Sequence, residues 1–306
     1  MISFRYHVVS LCAVVLALAL GVVLGASSLS QTMLGALSTD RADLSGQVGT
    51  LTAERDTARA EQAAADRVLA GAAPSLVGGT LPGRTVVVVA APGADPADLE
   101  ALTGLVGQAG GRVTGSLTLT DAALAPDRAD ALRGLVTRVL PAGVQLPSTT
   151  DAGTLTGALL GSLVTSGRGP TSSPAEIGTA FTALADGGFL APGAAPAPAQ
   201  LAVVLAGDAA SGPDAAGRAT TLAHLAGGVR DGGAGTVLAA RSADGAVATA
   251  RPDQALRGLS TVDGVGTTAG RLAVVLAAAE QAGGRAGAYG ASPGVSALPQ
   301  RTPPPA

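Results

Sequence analysis

The sequence predicts an α/β protein: an N-terminal transmembrane helix and short coiled coil followed by a doubly wound, mainly parallel sheet domain. Three observations predict it. An uncharged apolar run opens the chain, a seven-residue repeat follows directly, and from about residue 80 short apolar strands alternate with helical patterns.

Residues 1–28, "MISFRYHVVSLCAVVLALALGVVLGASS", read as the anchor. No side chain from Val8 to Ala26 carries a charge. At about 1.5 Å per residue the run matches a hydrocarbon layer of roughly 30 Å. A cleaved secretory signal has a shorter apolar region, roughly 7 to 15 residues, and a small-x-small site. Gly25 and Ala26 offer only poor candidates, so retention is favoured over cleavage. Arg5 and the terminal amine precede the run and the first later charge is Asp40, which places the N-terminus in the cytoplasm and the remainder outside. A retained apolar helix argues for the inner membrane rather than the outer. Gly21 and Gly25 form a small-xxx-small pair suited to close helix dimerisation, although glycine is also simply common in such helices.

Residues 29–73 read as a coiled-coil stalk. Leu37, Leu44, Leu51, Ala58 and Ala65 recur every seventh residue, with Leu34, Val48 and Leu69 at the complementary offset. Arg41, Arg55 and Gln62 fill the other complementary positions and restrict register and partner number. The expected product is a short parallel homodimer or higher homo-oligomer. A single amphipathic helix folding back on its own domain is the competing reading. "GAAPSLVGGTLP", Gly71 to Pro82, reads as the end of the helix and a domain boundary.

The domain is expected over 80–290. Val86–Ala90 reads as a buried strand, Pro96–Gln108 as a helix capped by Asp95, and Val113–Thr120 as a second strand, which together make one βαβ unit. Helical patterns follow at Asp127–Leu140, Asp151–Thr165 and Pro174–Ala185. Gln200–Asp208 is a further apolar strand, Ala215–Arg230 a helix, Gly235–Arg241 a strand and Gly270–Ala282 a helix ended by two glycines. Residues 291–306 read as a disordered, Pro-rich tail.

Composition narrows the chemistry. Apolar residues make up 47% and aromatics 2%, so Val, Leu and Ala must fill the core. Every basic side chain is Arg, and the net charge of −3 leaves no footprint for nucleic acid. A phosphate-binding P-loop needs Lys, which is lacking, and "APGADPAD" lacks the dinucleotide glycine spacing. Ser292 in "GASPG" matches a nucleophile elbow in letters only, because Pro293 removes the next N–H and no His follows. His224 reads as a structural histidine on a helix. Asp95, Asp121 and Asp208, at strand ends, fit either a ligand cleft or caps and turns. An enzyme is not expected, nor is a resident cofactor. Soft or imidazole ligands amount to Met1, His7, Cys12, Met33 and His224. Cys12, the sole cysteine, is a weak metal candidate and a better small apolar helix residue. The positions expected to work are the assembly residues Gly21, Gly25, Leu37, Leu44, Val48 and Leu51.

The opening segment, the heptads, "TVVVVAAPGAD", "LVGQAGGRVTGSLTLT", "VLPAGVQL", "LSTVDGVGTTAGRLAVVLA" and "GGRAGAYG" together resemble the mycobacterial copper transport protein B family of actinobacterial envelope proteins. The resemblance covers nearly the whole chain in order. It implies a single-pass membrane protein of the cell envelope concerned with copper transport or efflux, with copper as the ion carried. The family is also similar to cell-separation proteins, which implies an alternative: a non-enzymatic coiled-coil scaffold or regulator acting on a peptidoglycan hydrolase or membrane partner. No copper ligand carries over to a numbered position here. A channel would need several spans or a closed barrel of alternating strands, and the sequence shows neither.

Overall fold

The computed structural model describes residues 4–166, 172–209 and 211–299, apart from the side chains of 4, 5, 24, 26–40 and 42. The chain divides into two units, Met1–Ala65 and Asp66–Ala306. The first is helical throughout its described length, because α1 runs from Phe4 to Val77 and so continues into the second.

Gly71 and Pro74 do not end α1 as their residue types suggest. Ala73 and Val77 are buried in the α/β core with Leu69 and Leu76 packed against it, and this burial holds the last turns helical through the proline. The stop falls later, where the Gly78 N–H donates to the Pro74 carbonyl at 2.9 Å and Gly79 turns at φ +68°. The α/β unit therefore begins at Asp66, not at residue 80.

Six parallel strands form one sheet in the order β2-β1-β3-β4-β5-β6: β1 Thr85–Ala90, β2 Arg112–Thr118, β3 Leu201–Leu205, β4 Gly235–Ala239, β5 Ser260–Val262 and β6 Ala288–Tyr289. The central strands are Val- and Leu-rich and buried on both faces, as a covered parallel sheet requires. One face carries α2 (Pro96–Gln108), α9 (Thr268–Ala282) and the end of α1. The other carries α4 (Ala129–Arg138), α5 (Ala152–Val164), α6 (Pro174–Asp186), α7 (Ala215–Asp231) and α8 (Ala246–Ala250), with the short α3 (Asp121–Leu124) beside them. Two separate cores, one per face, make the doubly wound sandwich the sequence predicts, and its strands are all parallel.

Side chains start three of the predicted helices. Asp95 accepts from the Ala97 N–H at 2.8 Å, Asp151 from Thr154 at 2.6 Å, and Ser173 with Glu176 closes a capping box on α6. Glycine allows α5 and α7 to meet almost backbone to backbone. A Cβ on Gly157 would lie 2.1 Å from the Leu225 carbonyl oxygen, and one on Gly228 would lie 2.4 Å from that of Thr154.

The start of the expected tail is held to the sheet edge instead of hanging free. The Gly290 N–H donates to the Ser296 carbonyl at 3.0 Å, and the N–H groups of Ala291 and Ser292 donate to buried Asp263 at 2.7 and 3.2 Å. Residues 300–306 of that prediction lie outside the described residues.

Beside this edge, the buried Tyr289 hydroxyl donates to Glu280. Burial first, and then the Glu280 carboxylate, push the phenol up to about 12 from its ordinary 10.0. The folded pKa is raised, so this stabilisation is complete below pH 10.0, where the unfolded phenol is also neutral, and is lost as pH climbs through about 12. Denaturant midpoints should fall across that window in the wild type and fall less in Tyr289→Phe. Parallel alkaline profiles would refute the assignment.

Candidate functional site

Two regions hold the residues singled out from the sequence. In the N-terminal unit, Tyr6–Val23 forms an 18-residue window of mean hydropathy 2.4, none of it buried within the protein. Gly21 and Gly25 have open space where a Cβ would stand, and Cys12 is exposed on the same helix. Leu44, Val48 and Leu51 are 60%, 63% and 63% exposed. The Leu37 side chain, like that of Met33, lies outside the described residues.

The second region is the mouth of the sheet. From β1 the winding runs one way to β2 and the other way to β3, so the loops after β1 and β3 diverge and open a crevice at their carboxyl ends. Gly207, just past β3, is forced by this geometry. A Cβ there would lie 2.0 Å from the Pro92 carbonyl oxygen of the neighbouring loop. The cleft has a volume of about 390 Å³ and is walled chiefly by Ala, Leu, Pro and Gly, with Asp208, Arg218, Ser242, Asp244 and Thr249 as its polar members.

The structure brings two of the three strand-end carboxylates to this mouth and ties the third to its rim. Asp208 lines the cleft itself. Asp121, at the start of α3, pairs with Arg218 of the cleft wall. Asp95 caps α2 and pairs with Arg241, which follows β4. Behind that rim lies Asp98, only 1% exposed, which accepts from Arg241 Nε and an Arg271 terminal nitrogen, each at 2.7 Å. Arg241 is held protonated above its ordinary range, first by the hydrogen bond to Asp98 and then by the charges of Asp98, Asp95 and Asp208. Sequence reasoning missed Asp98, Arg218, Arg241 and Arg271, because their partners stand up to 173 positions away, and Asp244, which reaches the cleft from a loop that carries no local signal.

His224 stands apart from both regions. Its Nδ1 is 3.2 Å from Asp151 Oδ1 and its Nε2 is 3.3 Å from Asp253 Oδ2, so one ring bridges the N-cap of α5 to the short helical turn at Gln254–Leu256. Burial pushes the Asp151 carboxyl up, but hydrogen bonds from the Thr154 N–H and hydroxyl and from His224 outweigh it and hold the group below its ordinary range. The arrangement is a structural clamp, the role expected for this histidine. Among the described residues no group of three or more His, Cys, Asp or Glu side chains is placed to hold a metal ion. Ser292 sits in a turn after β6, with its backbone turned to Asp263 and no helix after it among the described residues, so the elbow motif is one of letters only.

The apolar helix and the covered parallel sheet define a class: a membrane-associated α/β protein with, among the described residues, a single candidate transmembrane helix near its N-terminus. Within that class the chain belongs to the family described as "Copper transport outer membrane protein, MctB", whose model matches residues 1–299. It is similar to the protein named "Copper transporter MctB" in Mycobacterium tuberculosis (strain ATCC 25618 / H37Rv), at 37% identity over 311 positions, covering 97% of this chain and 99% of that one. The protein of the same name in Mycobacterium leprae is 35% identical over 321 positions with the same coverage.

Proposed function

We propose that the chain serves copper transport and homeostasis in the cell envelope, as a single-pass protein with its N-terminus in the cytoplasm and its α/β unit outside. The observation that carries the copper role is the end-to-end similarity to proteins named copper transporter. Orientation rests on Arg5 before the span against Asp40 as the first charge after it. A cysteine introduced by Ser148→Cys in a Cys12→Ser background should be labelled in intact cells by a membrane-impermeant maleimide. Labelling only after lysis would reverse the orientation.

The sheet is of the buried parallel type with helices on both faces, unlike the lipid-facing antiparallel strands of a membrane barrel. Copper is therefore cargo handled by an assembly of chains, not an ion threaded through one sheet. Parallel pairing along Leu44, Val48 and Leu51 supplies that assembly, with the helices approaching at Gly21 and Gly25. Leu44→Glu places like charges across the seam and should abolish the cross-linked dimer; undiminished cross-linking would remove the seam from the account.

The copper role is tested in cells lacking the protein, with and without the full chain restored. Restoration should lower cell-associated copper and raise tolerance to added copper salt. Equal copper content in both would overturn the proposal.

A further inference from the structure

The cleft at the sheet mouth has no part in the copper reading, and its chemistry points elsewhere. Its volume of about 390 Å³ falls in the range of small-molecule sites, roughly 300–1,000 Å³, and its wall is mostly apolar. The charges around it do not cancel. Arg218 is committed to Asp121, while Arg241 is shared between Asp95 and Asp98, and Asp98 also takes Arg271. Asp208 and Asp244 remain as cleft-lining carboxylates that make no salt bridge among the described residues. A ligand here meets two surplus negative charges.

It also meets hydrogen-bond donors. Ala216, in the first turn of α7, lines the cleft; the Ala215 N–H before it already donates to the Gly212 carbonyl at 3.3 Å, and Asp214 makes no side-chain cap on that helix. The opening N–H groups of an uncapped helix need an acceptor. A bare cation would satisfy the carboxylates and leave these donors unmatched; a carboxylic acid would do the reverse. An ammonium beside a carbonyl oxygen, carried on an apolar body, satisfies the carboxylates, the donors and the wall together.

We propose that this cleft binds the free amino end of a peptide or amino-acid amide with an apolar side chain, the ammonium facing Asp208 and Asp244 and the adjacent carbonyl facing the start of α7. The chain contains no Trp, so an indole probe can be read by fluorescence without background. L-tryptophanamide titrated into the full-length protein in detergent should bind saturably. N-acetyl-L-tryptophanamide, which lacks the charge, and tryptamine, which lacks the carbonyl, should each bind on the order of tenfold more weakly, the loss expected for one charge-assisted contact. The Asp208→Asn/Asp244→Asn double variant changes exposed side chains and tests the carboxylates directly. It should weaken tryptophanamide by a similar factor and leave the N-acetyl probe unaffected. The proposal is overturned by an absence of saturable binding, by equal affinity for the amide and its N-acetyl form, or by unchanged affinity in the double variant. Because the copper test is made in cells with the wild-type chain, failure of either proposal leaves the other standing.

Discussion

Gly157→Ala is expected to destabilise the α/β unit by more than about 3 kcal/mol, against the ordinary helix scale on which Ala is favoured over Gly by about 1 kcal/mol. The sign carries the argument. Gly157 is in the middle of α5, and a methyl group there would stand 2.1 Å from the Leu225 carbonyl oxygen and 2.8 Å from its carbonyl carbon. These are backbone atoms in a helix that is itself packed on the sheet, so no flexible side chain can swing away. The contact extends along both helices: Gly153 faces Thr221, Gly161 faces Val229, and Gly232 faces Gly161 in return. Either α5 and α7 separate, leaving a void along a large part of one core, or the helices distort. Gly178→Ala on α6, where nothing stands within 4 Å of the added carbon, is the matched control and should be stabilising by about 0.5–1 kcal/mol. Denaturant unfolding of both variants decides. If Gly157→Ala also stabilises, the close approach of the two helices is refuted.

Asp98→Ala should be the most damaging change at a charged position, costing about 3–5 kcal/mol, the usual penalty for deleting one partner of a buried charge cluster. Asp98 is 1% exposed and holds two guanidiniums from two different elements, so its removal leaves Arg241 with Asp95 alone and Arg271 without its carboxylate. Arg271 already has a buried Nε without a partner, which makes it the less tolerant of the two. Replacing the cluster as a unit, Asp98→Leu with Arg271→Met, should recover much of the loss, because apolar side chains of similar volume need no compensating charge. A single Asp98→Ala variant within about 1 kcal/mol of wild type would show that water replaces the carboxylate and that the pair is not truly buried.

These sites also show how far the sequence could be read. The valine run at Val86–Val89 announces a buried parallel strand by being short, wholly apolar and β-branched, whereas Leu201–Leu205 and Leu272–Leu276 share the letters LAVVL and are told apart only by their surroundings, the first bounded as a short strand and the second continuing into the long apolar helix α9. Asp95, Asp151 and Ser173 announce helix starts through purely local chemistry. By contrast β5 and β6, at Ser260–Val262 and Ala288–Tyr289, are too short to show a period and exist only because a sheet edge is waiting for them. The end of α1 is hidden in the sequence for a related reason. Gly71 and Pro74 oppose a helix locally, and the burial of Ala73 and Val77 that overrides them is a tertiary fact. Gly153, Gly157 and Gly161 stand in the sequence at the same four-residue spacing as Gly21 and Gly25, yet only the fold distinguishes glycines pressed against a neighbouring helix backbone from glycines with open space around them. At the cleft, strand-end position was enough to suggest Asp208, whereas Asp244 and Arg218 come from loops and helices whose meeting no local pattern announces.

The strand order also sets a timetable. β1 is paired on one side by β2, a near neighbour in sequence, but its other partner, β3, is about 115 residues downstream. At synthesis rates of about 5–20 residues per second, β1 waits some 6–23 s with one edge open before β3 exists. The helices made in that interval, α4 to α6, have only two of the six strands to settle on. Maturation of this protein is thus gated by the arrival of a late segment, and any protease or holdase meeting the nascent chain has that interval in which to act.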